Sequence, residues 1–232
     1  PVTCYVFGAG KGDQRINFNT WTNVASTQVN ISGTARIYGS TFGGGEDGHV
    51  INNAETNIGG NVTIGGTSYS NSGVIIGTTG TSYVDGNVFG GGRGFSGDAQ
   101  TAGTVGGNVK VDIKGGTMLG SVYGGGRLAS VGTLFTAPED NNYGQFVEDE
   151  TTGTNPKTYG HVTVNISGGT IGNTVGNAES GNVFGGSMGR LTLLDNTINP
   201  IWPELAQVKT STVSISGGDI KRNVYGGGEL GT

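Results

Sequence analysis

The residues whose types and spacing suit chemistry lie in two long segments, 128–160 and 191–208, which interrupt an otherwise repetitive sequence. Segment 128–160 combines carboxylates with aromatic rings, and segment 191–208 carries a run of apolar residues with a tryptophan. Acidic groups beside aromatic faces can bind carbohydrate or calcium, and the alternative is an ordinary solvated loop. The candidate ligand-binding residues in these segments are Tyr143, Phe146, Glu148, Asp149 and Trp202.

Two arginines are further candidates for ligand binding. Arg93 and Arg127 each follow a glycine triplet, one repeat apart, so we expect them to stack on one face. The insertions leave the repeat mostly after the same triplets, and insertions gathered on one side of a repeat protein often form its binding surface. The sequence therefore predicts a ligand-binding face, with a host or dietary glycan or a surface protein as the partner.

The requirements of catalysis are not met by any group of residues in the sequence. Polysaccharide lyases and glycoside hydrolases need paired carboxylates about 5–10 Å apart, or calcium with a base that takes a proton. Asp85, Asp112 and Asp219 are single residues near predicted strands, and His49 and His161 lie in different repeats. We assign no catalytic residue and no metal ligand, and keep a polysaccharide-active enzyme of the β-helix class as the alternative function.

One short motif in the sequence suggests calcium binding. The segment Gly8–Asp13, with the sequence GAGKGD, resembles a single nonapeptide of the calcium-binding β-roll, whose copies follow one another directly. Here no second copy follows the first. No cofactor is therefore expected, and calcium is an alternative that depends on this one motif.

The composition argues against nucleic-acid binding, membrane insertion and an internal disulfide. Glycine accounts for 49 of 232 residues, against an average of roughly 7%. The 12 basic and 17 acidic residues give a net charge of -5 without any basic cluster, which argues against nucleic acid as a partner. No apolar stretch approaches the ~20 residues that span a bilayer, so no membrane insertion is expected. The single cysteine, Cys4, excludes an internal disulfide and is expected to be buried.

The glycines belong to an internal repeat. Each copy places an aromatic residue before a glycine triplet or near-triplet, and the six aromatics are Phe7, Phe42, Phe89, Tyr123, Phe184 and Tyr225. A Val-x-Ile element precedes most of them, ending at Ile31, Ile64, Ile113, Ile166 and Ile215. Two of the steps between aromatics are 34 and 35 residues, which we take as the bare repeat.

The repeat dictates the expected architecture. Alternating β-branched residues indicate short strands with one buried face, and the Gly-Gly pair after each Ile is expected to end the strand. Such strands bury that face by stacking on the next copy. We predict an all-β, right-handed parallel β-helix (β-solenoid) with loop insertions on one side; a β-sandwich or antiparallel meander is the structural alternative. We expect residues 1–232 to form one domain of five to six repeats within a longer protein, and open ends of such a domain would invite end-to-end self-association.

The aromatic column has two interpretations. The rings form a structural core column, or they face outward as a ladder that contacts sugar faces. Four of the six rings are phenylalanine, which has no hydroxyl group for a wet surface, and this favours the core column.

The repeat resembles the glycine-rich repeats of very long surface proteins of gut Bacteroidales. Thr170-Ile171 after Gly168-Gly169, and the segment 182–186 (NVFGG), carry the likeness, and Ala9 and Ser187 depart from the glycine pattern. The resemblance implies a non-enzymatic adhesin or stalk module of an exported protein, outside the cell or at its surface, and it implies no catalytic residue.

Overall fold

The computed structural model describes residues 4–12, 22–60, 62–64, 67–69, 73–79, 85–94, 102–134, 141–142, 145–173, 180–189 and 206–230. In chain order the strands are β1 (Val6–Phe7), β2 (Thr27–Ile31), β3 (Arg36–Ile37), β4 (Thr41–Phe42), β5 (Ala54–Ile58), β6 (Val62–Ile64), β7 (Thr67–Tyr69), β8 (Ile75–Ile76), β9 (Val88–Phe89), β10 (Val109–Met118), β11 (Val122–Tyr123), β12 (His161–Ile171), β13 (Val183–Phe184), β14 (Thr210–Ile220) and β15 (Val224–Tyr225).

Thirteen of these fifteen strands assemble into two parallel sheets, and β6 and β7 form a separate antiparallel pair. The six-stranded sheet follows the chain in the order β1-β4-β9-β11-β13-β15, and each of its strands is the Val-aromatic or Thr-aromatic pair of one repeat. The seven-stranded sheet has the order β14-β12-β10-β5-β2, with β8 joining β3 to β10. The chain therefore alternates between the two sheets, and every parallel partner comes from a neighbouring repeat.

Equivalent residues lie over one another in register. Ile31 pairs with Ile58, Ile58 with Ile113, Ile113 with Ile166, and Ile166 with Ile215. Ile31, Ile58, Ile113 and Ile166 fill the space between the sheets together with Val29, Val111 and Val164, because alternate side chains of a strand point to the same face. Ile215, on the edge strand β14, is 46% exposed. The stacked columns that the repeat predicts are present, and they form the main core.

The Gly-Gly pairs bend the seven-stranded sheet. We expected them to end the strands, but β10, β12 and β14 continue through them with a shift in register. Gly116 and Gly169 each have a φ of 86°, in the left-handed region that glycine adopts without a Cβ clash. The regular pairing is interrupted at the Gly-Gly pair and resumes at Thr117 and Thr170.

The predicted fold class needs correction. The all-β content is confirmed, but the prediction of a right-handed parallel β-helix is wrong, because the described strands form two stacked parallel sheets and no closed solenoid. Between the sheets, the described residues of neighbouring repeats pair at isolated bridges, such as Val50–Val105 and Arg93–Arg127. Glycine triplets lie on one flank and segments of unequal length on the other, and the described residues form no third strand there.

Three local expectations also differ from the structure. Val62–Ile64 is not the ladder strand of its repeat: Ala54–Ile58 takes that position, and β6 pairs antiparallel with β7. Cys4 is exposed rather than buried, since it lies just outside edge strand β1. Leu128 and Val131, at the start of the predicted insertion 128–160, are buried, so the excursion from the core begins after them.

Candidate functional site

The insertion returns to the sheets through an aromatic contact. Phe146 and Leu134 form an antiparallel bridge, and the ring of Phe146 lies against Gly132. A Cβ atom at Gly132 would sit 2.8 Å from that ring and 2.9 Å from the Cα of Gly160, and the φ of Gly132 is 114°. Glycine is therefore required here, and the bases of the insertion at Gly132 and Gly160 are in direct contact.

Asp149 is the centre of the polar contacts that hold this insertion. Its Oδ2 lies 2.8 Å from His161 Nε2, and its Oδ1 accepts hydrogen bonds from Lys209 Nζ at 3.1 Å and from the Tyr159 N–H at 3.1 Å. Lys209 also donates to Glu148 at 3.3 Å. We call Glu148, Asp149, Tyr159, His161 and Lys209 the acidic latch.

The geometry determines the protonation of the latch. The hydrogen bond from His161, followed by that from the Tyr159 N–H, holds the pKa of Asp149 at about 2. The ionised carboxylate only accepts, so His161 Nε2 carries the proton of this bond. Burial lowers the pKa of Lys209, but its bonds to Asp149 and Glu148 raise that pKa by more. At neutral pH Asp149 and Lys209 therefore form an ion pair that joins the insertion to the start of β14. The hydrogen bond between Asp149 and His161 joins it to the start of β12.

A second group of charges follows the glycine triplets. The residue four positions after each ring bridges in parallel to its equivalent in the next repeat, which builds one column: Lys11, Glu46, Arg93, Arg127, Met188 and Glu229. Glu46 lies 3.7 Å from both Lys11 Nζ and Arg93 Nη1. The Arg93 guanidinium also lies 5.0 Å from the centroid of the Tyr5 ring. We call this set the charged column.

The charged column lies beside the ring column. The six rings stack along the six-stranded sheet with centroids 4.6–4.9 Å apart and planes within 13° of parallel. This spacing is the distance between neighbouring strands. The four central rings are no more than 6% exposed, and the Tyr123 hydroxyl donates to Glu229 in the charged column. The central ring faces are therefore covered by each other and are closed to a sugar.

The structure divides the candidate residues into two groups. Glu148 and Asp149 meet in the acidic latch and Phe146 anchors the same insertion, whereas Arg93 and Arg127 are neighbours in the charged column. Tyr143 and Trp202 lie outside the described residues.

The sequence patterns do not identify His161 and Lys209, whose side chains bond to Asp149 in the latch. A usable signal exists in the register: His161 is the first residue of β12 and pairs with Thr210, the first residue of β14, so Lys209 must lie at the same edge.

Within the described ranges, no group of three or more His, Cys, Asp or Glu side chains is arranged to hold a metal ion. Asp13 of the calcium motif lies outside those ranges. The part of the chain that the structure describes contains no helix long and apolar enough to cross a membrane. No protein-family model, curated protein or solved structure matches this chain.

Proposed function

We propose that this chain is a non-enzymatic stalk or adhesin module of an exported bacterial surface protein. The observation that carries the proposal is the ring column, which runs without interruption through six repeats at 4.6–4.9 Å. Such a column, with aliphatic columns parallel to it, joins each repeat to its neighbours along one direction. This arrangement suits a spacer that resists bending.

The surface location is supported by the repeat itself. Its aromatic-glycine motif is similar to that of long bacterial surface proteins. A direct test is antibody labelling of source cells before and after permeabilisation. Labelling of intact cells is the expected result, and labelling that requires permeabilisation would contradict the proposal.

The insertion is the part that we propose binds a ligand. Its acidic latch fixes the path of the chain, while the Glu148 side chain is 89% exposed. Glu150 accepts a hydrogen bond from the Tyr159 hydroxyl at 2.9 Å, which places a carboxylate beside an aromatic ring. Carboxylates and ring faces together recognise the hydroxyls and apolar faces of sugars, so a host or dietary glycan is the proposed ligand, and a surface protein is the alternative partner.

Deletion of the insertion tests whether it binds a ligand or stabilises the fold. Gly132 and Gly160 are already in contact, so residues 133–159 can be replaced by two residues without moving the sheets. We expect the shortened chain to lose glycan capture on an array while its melting temperature falls only slightly. Glu148→Gln in the full chain removes one exposed carboxylate of the proposed binding site, and it should weaken glycan capture without changing the melting temperature. Equal glycan capture by the shortened and full chains would contradict a binding role for the insertion.

The alternative function is a polysaccharide lyase or glycoside hydrolase. A glycosidase needs a carboxyl group that is protonated at working pH, and such acids have a raised pKa. Asp149 has the opposite shift, to about 2, and is occupied by His161 and Lys209. An activity screen on acidic polysaccharides tests the point: depolymerisation that one carboxylate substitution abolishes would overturn the non-enzymatic proposal.

A further inference from the structure

The glycine triplets show how closely the repeats stack. A Cβ atom on the first glycine after a ring would lie 2.2–2.3 Å from the carbonyl oxygen of the equivalent glycine one repeat later, at Gly8, Gly43, Gly90, Gly124 and Gly185. None of these five has a φ in the left-handed region. Glycine is required at this position because the next repeat occupies the space where a side chain would be.

Among the described residues, nothing occupies that space at the last triplet. A Cβ atom at Gly226 or Gly227 would meet nothing within 4 Å, and neither residue has a positive φ. Backbone conformation and internal contacts both permit a side chain there. Glycine at these two positions is what a further stacked strand would require.

The same edge exposes apolar surface. Strand β15 pairs with β13 on one side, and no described strand pairs with its other side. Val224 and Tyr225 are each 44% exposed, whereas their equivalents Val122 and Tyr123 are at most 1% exposed. An open parallel edge with exposed apolar columns is a template for pairing with another chain.

We propose that the chain associates head to tail, with β15 of one copy pairing in parallel with β1 of a second copy. Strand β1 is the opposite edge of the same six-stranded sheet, and Val6 and Phe7 are the equivalents of Val224 and Tyr225. Translation of one copy along the stacking direction continues both the valine and the ring columns. Stacking of Tyr225 on Phe7 then repeats the contact made within each copy.

The opposite edges also carry opposite charges. The charged column begins at Lys11 and ends at Glu229, so the proposed junction brings these two side chains into adjacent positions. The Lys11 side chain is 77% exposed. The contact is confined to the six-stranded sheet, because Val29 and Ile31 at the edge of the other sheet are already 92–94% covered, with exposures of 8% and 6%.

Head-to-tail contacts have a distinctive consequence. The two contacting surfaces differ, so each added copy leaves a new free edge and the assembly does not close at two copies. A contact between two C-terminal edges would instead give a closed dimer. The proposed association does not depend on the surface role proposed above.

The single cysteine serves as the reporter in the experiment. Cys4 is exposed and lies two residues before β1, so a copy that pairs with β1 covers it. In sedimentation velocity at increasing concentration, we expect the 23.4-kDa chain to form species larger than a dimer. Over the same range, the reaction of Cys4 with a maleimide should slow several-fold.

The glycines supply the decisive variant. The double substitution Gly226→Ala and Gly227→Ala should leave the melting temperature unchanged, abolish association and keep the Cys4 rate independent of concentration. If that variant does not fold, Lys11→Glu should weaken association several-fold, whereas Lys157→Glu, an equal charge change in the insertion, should not. A wild-type chain that stays monomeric, a closed dimer with reactive Cys4, or undiminished association of the variants would each overturn the proposal.

Discussion

The side-chain oxygen of Asn87 accepts a hydrogen bond from the Ser121 N–H at 2.7 Å, which joins equivalent positions of consecutive repeats. The Asn87 N–H donates in turn to Ser40 Oγ at 3.0 Å, and the Asn182 N–H donates to Ser121 Oγ at 3.1 Å. These residues lie two positions before each ring and are buried. A polar ladder therefore satisfies backbone N–H groups at the entrance to β9, β11, β13 and β15.

Removal of one acceptor from this ladder should be costly. Asn87→Ala leaves the buried Ser121 N–H without its acceptor, so we expect the free energy of unfolding to fall by about 1–3 kcal/mol. Asn87→Ser keeps a hydroxyl oxygen of the kind that the ladder uses at Ser40 and Ser121. Its free energy of unfolding should therefore fall by less than that of Asn87→Ala. Chemical denaturation of both variants measures the difference, and equal losses would show that the acceptor does not matter.

The ring column should be most sensitive at its centre. Phe89 is fully buried between Phe42 and Tyr123, at centroid distances of 4.7 and 4.6 Å. Phe89→Ala should reduce the free energy of unfolding by about 3–5 kcal/mol, since it removes a large buried side chain and leaves a cavity. Tyr225→Ala, at the exposed end of the same column, is the matched control with a much smaller expected loss. Comparable losses at dilute concentration would contradict a buried, stacked column.

The stacked columns could be predicted because each residue type repeats at its own position. Ile113, Ile166 and Ile215 share both the alternation and the following glycines, and the register places them together. The predicted ladder strand of the second copy was wrong because Val62–Ile64 contains residues of higher β-strand propensity than those of Ala54–Ile58. In the structure Thr56 takes the valine position of the ladder, so burial and register outweigh local propensity there.

The acidic latch and the arrangement of the sheets could not be read in the same way. Asp149 contacts His161 and Lys209, which lie 12 and 60 residues further along the chain, through a loop that has no equivalent in other repeats. A period in the sequence shows that copies stack, but it does not say how many residues of each copy remain in a ladder. Single bridges at Val50–Val105 and Arg93–Arg127, in place of strands, therefore had no signal in the repeat.

The latch should make stability depend on pH in the acid range. The folded pKa of Asp149, about 2, lies below the value of about 3.9 for an unfolded aspartate, so the folded state holds the proton less tightly. Its stabilisation is complete above the unfolded value and disappears as the pH falls toward 2. Asp149→Asn should therefore lower the melting temperature modestly at pH 7, and the difference from wild type should shrink steeply between about pH 4 and pH 2.

A neighbouring carboxylate provides the control for that titration. Glu148→Gln removes an exposed charge whose described contact is the 3.3 Å bond to Lys209, and exposed pairs contribute little. Its melting temperature should follow wild type at every pH. A constant difference between Asp149→Asn and wild type from pH 7 to pH 2 would mean that the latch is held by something other than the ionised carboxylate.

Close stacking of the repeats predicts that a glycine-to-alanine substitution destabilises the fold at one of two equivalent positions and has no effect at the other. A Cβ atom at Gly90 would lie 2.3 Å from the Gly124 carbonyl oxygen and 2.3 Å from a methyl carbon of Val109. The oxygen belongs to the backbone of the next strand, so a side chain must force the repeats apart. Gly90→Ala should reduce the free energy of unfolding by about 3 kcal/mol, at the upper end of typical overpacking costs.

Gly226→Ala makes the same change where a Cβ atom meets nothing within 4 Å, and at dilute concentration it should leave the midpoint of urea denaturation unchanged. The two glycines share their position after the ring, so intrinsic conformational preference contributes equally to both variants. The difference between their midpoints then measures the contact between repeats alone. Two midpoints that shift together would mean that glycine is needed for the local turn, and the stacking distance would no longer explain the triplets.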